Sequence, residues 1–348
     1  MIVSPWYPVP PRGYGGIEIV AFNLSRELNR RGHKVTVIGQ QGSSGPFEVA
    51  AVAPAAWTKQ LGTRDHIARE VLFLRRAHQV INDGVFDVIH DHSGFVGILL
   101  DALVDRAPSV ATLHGDLSEP ECDFLAEVAH DVQLVGISRS QMAKCPTVRW
   151  SGMVYNGVDH DQYTPITRQE DKQDYVVQLA RINPDKGQHL AIEIAQRVGI
   201  RLELAGKVDI EAEEYFETEV RPHIGRGVNW RENVYGEEQA RLLAGARAML
   251  FPIQWDEPFG VAMVEAMVSG TPVLALKHGA AVEIVEPGVT GWLANDIDGL
   301  VDAYGHLGEI DLERCVRRAI DRFGLEQMGE GYLSVYEAAR LGQLRKPA

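Results

Sequence analysis

Cysteine is scarce. Only Cys122, Cys145 and Cys315 occur in 348 residues, and they are too scattered to read as a zinc-ligand spacing or a disulfide framework. A cytoplasmic protein is the expectation. Long apolar runs are missing too: none approaches the length of a membrane span, and no basic segment precedes an apolar one at the N-terminus, so neither an anchor nor a signal peptide is expected. A stripe of Lys and Arg is also lacking. The chain carries 34 Lys and Arg against 48 Asp and Glu, a formal charge of −14, which disfavours nucleic acid as a partner because nothing is present to displace phosphate counterions. The acidity is uneven: residues 1–165 hold 14 Lys and Arg against 18 Asp and Glu, and the remainder 20 against 30. The less acidic half includes a helical stretch in which Arg64, Arg69, Arg75 and Arg76 are interleaved with Ile67, Val71, Leu72 and Leu74. Asp65 and Glu70 dilute its charge, so a solvated helix face is expected there, and no stable membrane association.

What the chain does have is length enough for two domains, each able to bury its own core, and the 45% hydrophobic and 24% charged content of a globular protein. Apolar runs and helical patterns alternate, which implies parallel sheets with helices on both faces, an α/β fold. A helix over 17–31 places Ile17, Val20, Ala21, Leu24 and Leu28 on one face and stops at Gly32, and a strand follows at 34–38. Strands at 85–89, 109–113, 133–137 and 153–155 complete a first sheet; those at 175–179, 201–205, 228–230, 248–251 and 272–276 form a second. Only four residues precede Pro5, a short opening strand that reads as a truncated or misassigned start. A polar stretch at 158–173 with Pro165 reads as the linker, giving domains of 1–162 and 163–324. Beyond Asn295 the pattern is helical.

Two segments carry chemistry. In the first, Glu257 and Glu265 are separated by seven residues. Pro258 suits the first turn of a helix, so a helix is expected to open at Glu257-Pro258-Phe259-Gly260 and run to about Ser269. Free N–H groups at Phe259, Gly260 and Val261 would favour an anion, and Glu265 could accept from a pair of neighbouring hydroxyls. Phosphate plus diol suggests a nucleotide. The second segment is Ala180-Arg181-Ile182-Asn183-Pro184-Asp185-Lys186-Gly187, a loop between a strand and a helix from about Gln188. Arg181 offers a planar fork and Lys186 a point charge, a pairing suited to two phosphate groups.

Together these segments resemble the C-terminal half of the retaining GT-B-fold glycosyltransferases of glycosyltransferase family 4. The likeness extends over nearly the whole chain through Pro11-Arg12-Gly13-Tyr14-Gly15-Gly16-Ile17-Glu18, Asp87-Val88-Ile89-His90-Asp91-His92, Thr112-Leu113-His114-Gly115 and Tyr155-Asn156-Gly157-Val158-Asp159. It implies two Rossmann-like domains facing across a central cleft, with a final helix at about 325–348 belonging to the first. It also implies Gly15, Gly16 and His114 on the sugar side, Arg181 and Lys186 at the diphosphate, Glu257 at the donor sugar and Glu265 at the ribose. Three departures bear on sugar identity: Ala180 where the family often has Gly, Gln254-Trp255-Asp256 ahead of Glu257, and the short start.

Other patterns read more plainly. Asp159-His160-Asp161 has an Asp-x-Asp form but overlaps the linker, and His90 and His92, as neighbours along a strand end, are expected on opposite faces, so no metal site is assigned. Gly13-x-Gly15-Gly16 has the wrong spacing for a dinucleotide loop and reads as a turn allowing close ligand approach. His114 follows a strand, where a packed histidine is the bland alternative. Glu265 sits inside the apolar run 261–268, where a carboxylate needs partners. The reading is a metal-independent retaining transferase without cofactor. It moves a sugar from a nucleotide-diphosphate donor, with uridine diphosphate expected, to a hydroxyl of a small soluble acceptor. A nucleotide-sugar epimerase of the same fold and a catalytically silent nucleotide-sugar-binding protein are the alternatives.

Overall fold

A computed structural model describes residues 1–13, 15–103 and 107–342. The chain divides into two compact units, one of residues 1–157 with 325–348 and one of 158–324. The sequence placed the division after 162, five residues later, and the last six residues of its closing helix lie outside the described residues.

The first unit is built on parallel strands β1 (Thr36–Gln40), β2 (Glu48–Ala53), β3 (Ile89–Asp91), β4 (Ser109–Thr112), β5 (Gln133–Gly136) and β6 (Gly152–Met153). The opening residues join its two parts. Ile2 N–H donates to the His90 carbonyl at 2.8 Å and Val3 N–H to that of Ile38 at 3.0 Å, with parallel bridges from Ile2 to both Ile38 and Asp91. The order is therefore β2, β1, the opening segment, β3, β4, β5, β6. Helix Gly16–Arg30 turns Val20, Ala21, Leu24 and Leu28 into the core, and Leu325–Arg340 packs beside it. Both helix positions match the periodicity in the sequence. The strand expected at 85–89 lies instead at 89–91, because Val85 is fully exposed while His90 and Asp91 are buried.

On helix His66–Asp83, two of the arginines expected to be solvated are packed: Arg69 and Arg76 lie 5.1 and 5.5 Å from the ring of Trp57. The expectation of three unlinked cysteines is also corrected. Helix Glu119–Val128 and the residue ending helix Arg139–Lys144 bring Cys122 and Cys145 to a Cα separation of 5.1 Å, and a disulfide joins them. Cys315 is free and buried.

The second unit holds strands β7 (Tyr175–Leu179), β8 (Arg201–Ala205), β9 (Val228–Arg231), β10 (Met249–Phe251), β11 (Val273–Leu276) and β12 (Gly291–Ala294). All pair in parallel, in the order β12-β11-β10-β7-β8-β9. Counted from its own first strand, this is the doubly wound order 3-2-1-4-5-6. Five of these strands were expected and β12 was not. Helices Gln188–Val198, Gly236–Gly245, Val261–Val268, Ile297–Gly305 and Leu312–Phe323 supply its helical cover. Among the described residues no helix is long and apolar enough to cross a membrane.

Inside this unit Lys172 is buried, with no carboxylate paired to it among the described residues. Its Nζ donates to the Ala244 carbonyl at 2.7 Å and to Thr271 Oγ1 at 2.9 Å, and burial lowers the ammonium to about 7. An unfolded lysine titrates near 10.5, so below about pH 7 both states are protonated and the buried charge opposes folding in full. Between about pH 7 and 10.5 the unfolded state binds the extra proton, and stability rises with pH. Wild-type denaturation midpoints should therefore climb from pH 7 to 9, and those of Lys172→Met should climb less; parallel curves would show that Lys172 keeps its proton in the folded protein across this range. The disulfide has a direct check as well. Protein denatured without reductant should titrate one thiol, that of Cys315, and three after reduction, whereas three before reduction would show that Cys122 and Cys145 stay apart.

Candidate active site

In the second unit strand order reverses between β7 and β10, and open α/β sheets bind ligands outside the carboxyl ends of the strands at such a point. The loops leaving these two strands are the ones the sequence marked, 180–187 after β7 and 252–260 after β10.

Each side chain has a local cause for its position. Asn183 caps the short turn Pro184–Lys186 by accepting from the Asp185 N–H at 3.0 Å. Gly187 follows in the left-handed region at φ 68, and a Cβ there would stand 2.3 Å from the Pro252 carbonyl oxygen, so only glycine lets the two loops meet. They are also tied by the Gln254 N–H donating to the Asp185 carbonyl at 3.0 Å. The result brings Lys186 Nζ to 2.5 Å from Glu257 Oε2, with both side chains more than four-fifths buried, and 4.6 Å from the centre of the Trp255 ring. Arg181 is ion-paired with Asp209, which also accepts from Asn183 Nδ2 at 3.2 Å. Both marked cations thus face a carboxylate. The sequence assigned Lys186 to the diphosphate and Glu257 to the donor sugar; in the structure the two side chains are paired with each other.

Glu257 is fixed through its backbone by a turn the sequence reading passed over. The Ala280 N–H donates to the Glu257 carbonyl at 2.9 Å and the Gly279 N–H to Asp256 Oδ1 at 3.1 Å. Gly279 is left-handed at φ 52, and a Cβ there would lie 2.4 Å from the Glu257 nitrogen.

The helix expected to open at Glu257-Pro258 begins later, at Val261, and ends at Val268. Gly260 is left-handed at φ 80, a conformation that cannot lie within a right-handed helix, so Pro258 belongs to the loop and Gly260 is the cap. Phe259 is 1% exposed with its ring edge-on to Phe323, which leaves only its backbone for a ligand. Glu265 lies one turn into the helix and is partly buried. Its Oε1 accepts from the Tyr163 hydroxyl at 2.9 Å, and burial pushes the carboxyl up against the opposing pull of hydrogen bonds from Tyr163 and Gln239. Tyr163 carried no mark in the sequence beyond a place in the linker.

In the first unit the other candidates stand at the carboxyl ends of the strands. Gly15 caps helix Gly16–Arg30, and a Cβ on it would meet Pro11 Cβ at 2.6 Å and Glu18 Oε2 at 3.0 Å, whereas a Cβ on Gly16 would meet only open space. Glu18 itself is buried, accepts from the Ser4 hydroxyl, and is held above the usual carboxylate range by burial. His114, two residues past β4, bonds through Nε2 to His92 Nδ1 at 2.8 Å. His90 bonds to Thr112 Oγ1 at 2.8 Å and to the Tyr336 hydroxyl at 2.6 Å, and the Tyr332 hydroxyl reaches the same Thr112 oxygen at 2.9 Å. Burial lowers His114 to about 4 and both other histidines well below the usual range, so all three rings are neutral at physiological pH. The expectation that His90 and His92 point apart is corrected: their ring centroids are 4.0 Å apart, since residues two apart in a strand share a face. Asp159 accepts from Gln162 Nε2 at 2.7 Å in the turn His160–Gln162. Among the described residues no three His, Cys, Asp or Glu side chains are grouped to hold a metal.

Comparison with known proteins identifies the family. Residues 159–304 match the family model described as glycosyl transferases group 1, and residues 14–144 that of glycosyltransferase family 4. The D-inositol 3-phosphate glycosyltransferase of Xylanimonas cellulosilytica is 27% identical over 96% of this chain and 93% of its own length. That of Mycolicibacterium smegmatis is 26% identical over 82% of this chain and 76% of its own. Among solved structures, AviGT4, a glycosyltransferase involved in avilamycin A biosynthesis, superposes with a TM-score of 0.76 at 26% identity, covering 98% of this chain and 97% of that one. Anabaena HepE, solved with UDP and glucose, gives 0.73 at 18% identity, covering 97% and 98%. Neither an epimerase nor a silent binding protein is favoured by these matches. The chain belongs to glycosyltransferase family 4 and is a glycosyltransferase of the GT-B fold.

Proposed function

We propose that the enzyme takes a sugar from a nucleotide-diphosphate donor and attaches it, with retention and without a metal, to a hydroxyl of a small soluble acceptor. The observation that carries this is the placement of Arg181 and Lys186 on the loop that leaves β7, with Lys186 paired to Glu257 on the loop that leaves β10, the strands flanking the switch point. Negative charge grows on the leaving phosphate oxygen as the glycosidic bond breaks, and preorganised cations lower that barrier. Arg181 and Lys186 serve this role, with N–H groups from Gly260 and Val261 assisting at the helix start. The two cations do here what a metal does in other phosphate sites.

Glu257 is held by Lys186, so it acts as a positioning group for the donor sugar and for the lysine, and not as a nucleophile. Retention then follows from attack on the face the phosphate leaves, with a phosphate oxygen taking the acceptor proton. Glu265 receives the ribose hydroxyls. Gly15, Gly16 and the neutral His114 serve the sugar and acceptor, Gly16 through the open space above it. Uridine diphosphate is the expected carrier, a reading supported by the UDP bound to HepE. The inositol-phosphate transferases among the relatives favour a polar, soluble acceptor.

Calorimetry with wild type, Arg181→Ala and Lys186→Ala tests the assignment. Each variant should bind uridine diphosphate more weakly by about 1.5–3 kcal/mol while binding uridine almost unchanged. Lys186→Ala should lose more, because its side chain is 12% exposed against 35% for Arg181 and its charge is less screened. Equal losses for nucleoside and diphosphate would remove both residues from the phosphate site.

A further inference from the structure

We propose that Tyr163 is the positioning residue that presents Glu265 to the donor's ribose, so that selection for a 2′-hydroxyl depends on a phenol outside the helix that carries the carboxylate. The inference rests on the ribose reading of Glu265 given above. Helix Val261–Val268 has Met263, Val264, Ala266 and Met267 buried around Glu265, and such surroundings favour the protonated acid. Two donors oppose that tendency from two directions. The Tyr163 O–H reaches Oε1 at 2.9 Å, and the Gln239 side chain, on helix Gly236–Gly245, favours the ionised carboxylate from a second side.

The backbone makes the convergence specific. Tyr163 ends the turn His160–Gln162, which packs on helix Gly236–Gly245, and that helix packs on Val261–Val268. Burial and the charges of Glu265 and Asp159 push the phenol far above its ordinary range, so its proton stays on and it is a permanent donor. An ionised carboxylate has roughly four acceptor positions; with one of them held by Tyr163, the remainder can take two vicinal hydroxyls in one orientation. Without the phenol the carboxylate can rotate and take up a proton more readily. A carboxyl proton is a donor where the ribose also donates.

The test is calorimetric titration of the full-length enzyme with UDP and 2′-deoxy-UDP at pH 8 and pH 6. Wild type is expected to prefer UDP by about tenfold at both pH values, since a ribose hydroxyl lost against a charged acceptor is costly. Glu265→Gln should lose most of that preference. Tyr163→Phe should keep part of it at pH 8 and lose most at pH 6, and in turnover should raise KM about fivefold with kcat little changed, as expected for loss of uniform binding. Gln239→Leu, which leaves the phenol in place, should move in the same direction by less, and it stands in if Tyr163→Phe unfolds early in a thermal scan. A Tyr163→Phe enzyme with wild-type preference at both pH values, beside a Glu265→Gln enzyme that has lost it, would overturn the positioning role while leaving Glu265 at the ribose. A wild type indifferent to the 2′-hydroxyl would sink the ribose reading and this proposal with it.

Discussion

The reversal of strand order between β7 and β10 is the constraint on which the candidate site depends. Neighbouring strands whose helices lie on opposite faces send their loops apart, and the gap that opens is where side chains from both loops can meet without a helix between them. Gly187 against the Pro252 carbonyl, and Gly279 against the Glu257 backbone, are the close approaches that bring these loops into register. A side chain at either glycine would separate them. With the backbones this close, Lys186 and Glu257 meet at 2.5 Å.

That proximity has an electrostatic logic. A mostly buried ammonium or guanidinium needs a compensating anion, and a partner taken away without replacement leaves a costly unpaired charge. In this structure the anions are Glu257 and Asp209. In the proposed complex, phosphate oxygens share these cations, so one set of charge-assisted bonds replaces another and the desolvation of the cations has already been met during folding. The first unit is organised on the opposite principle. Its histidines are clustered and neutral: His90 bonds to Thr112 and to Tyr336 of the last helix, and His92 to His114. Neutral His114 can donate or accept toward a sugar hydroxyl but adds no cation to the site.

Much of this was legible in the sequence, for identifiable reasons. Helices Gly16–Arg30 and Gln188–Val198 and strands such as β7 and β8 have strong periodicity and clear glycine stops, and they lie where the pattern puts them. Features that depend on distant partners were not visible. Residues 85–89 looked more like a strand than 89–91 because hydropathy penalises His90 and Asp91, which are buried through bonds to residues as far away as Tyr336. Edge strand β2 is half alanine and largely exposed, so it gave little signal. Cys122 and Cys145 are 23 residues apart in the chain, and only the packing of two helices reveals that they are adjacent. Pro258 suits a helix start by local preference, but the left-handed Gly260 after it decides the boundary.

Glu265 shows where the limit falls. That a carboxylate within an apolar helix must have partners follows from the cost of burying it alone, and the sequence suffices for that much. Which partners it has does not follow, since Tyr163 lies 102 residues away. The same asymmetry holds for Lys186 and Glu257, each marked as a phosphate or sugar contact because of its charge, yet bonded to each other across 71 residues. Charge and burial predict that a site will be satisfied. The fold decides by whom, and so decides which groups a donor must share with the protein.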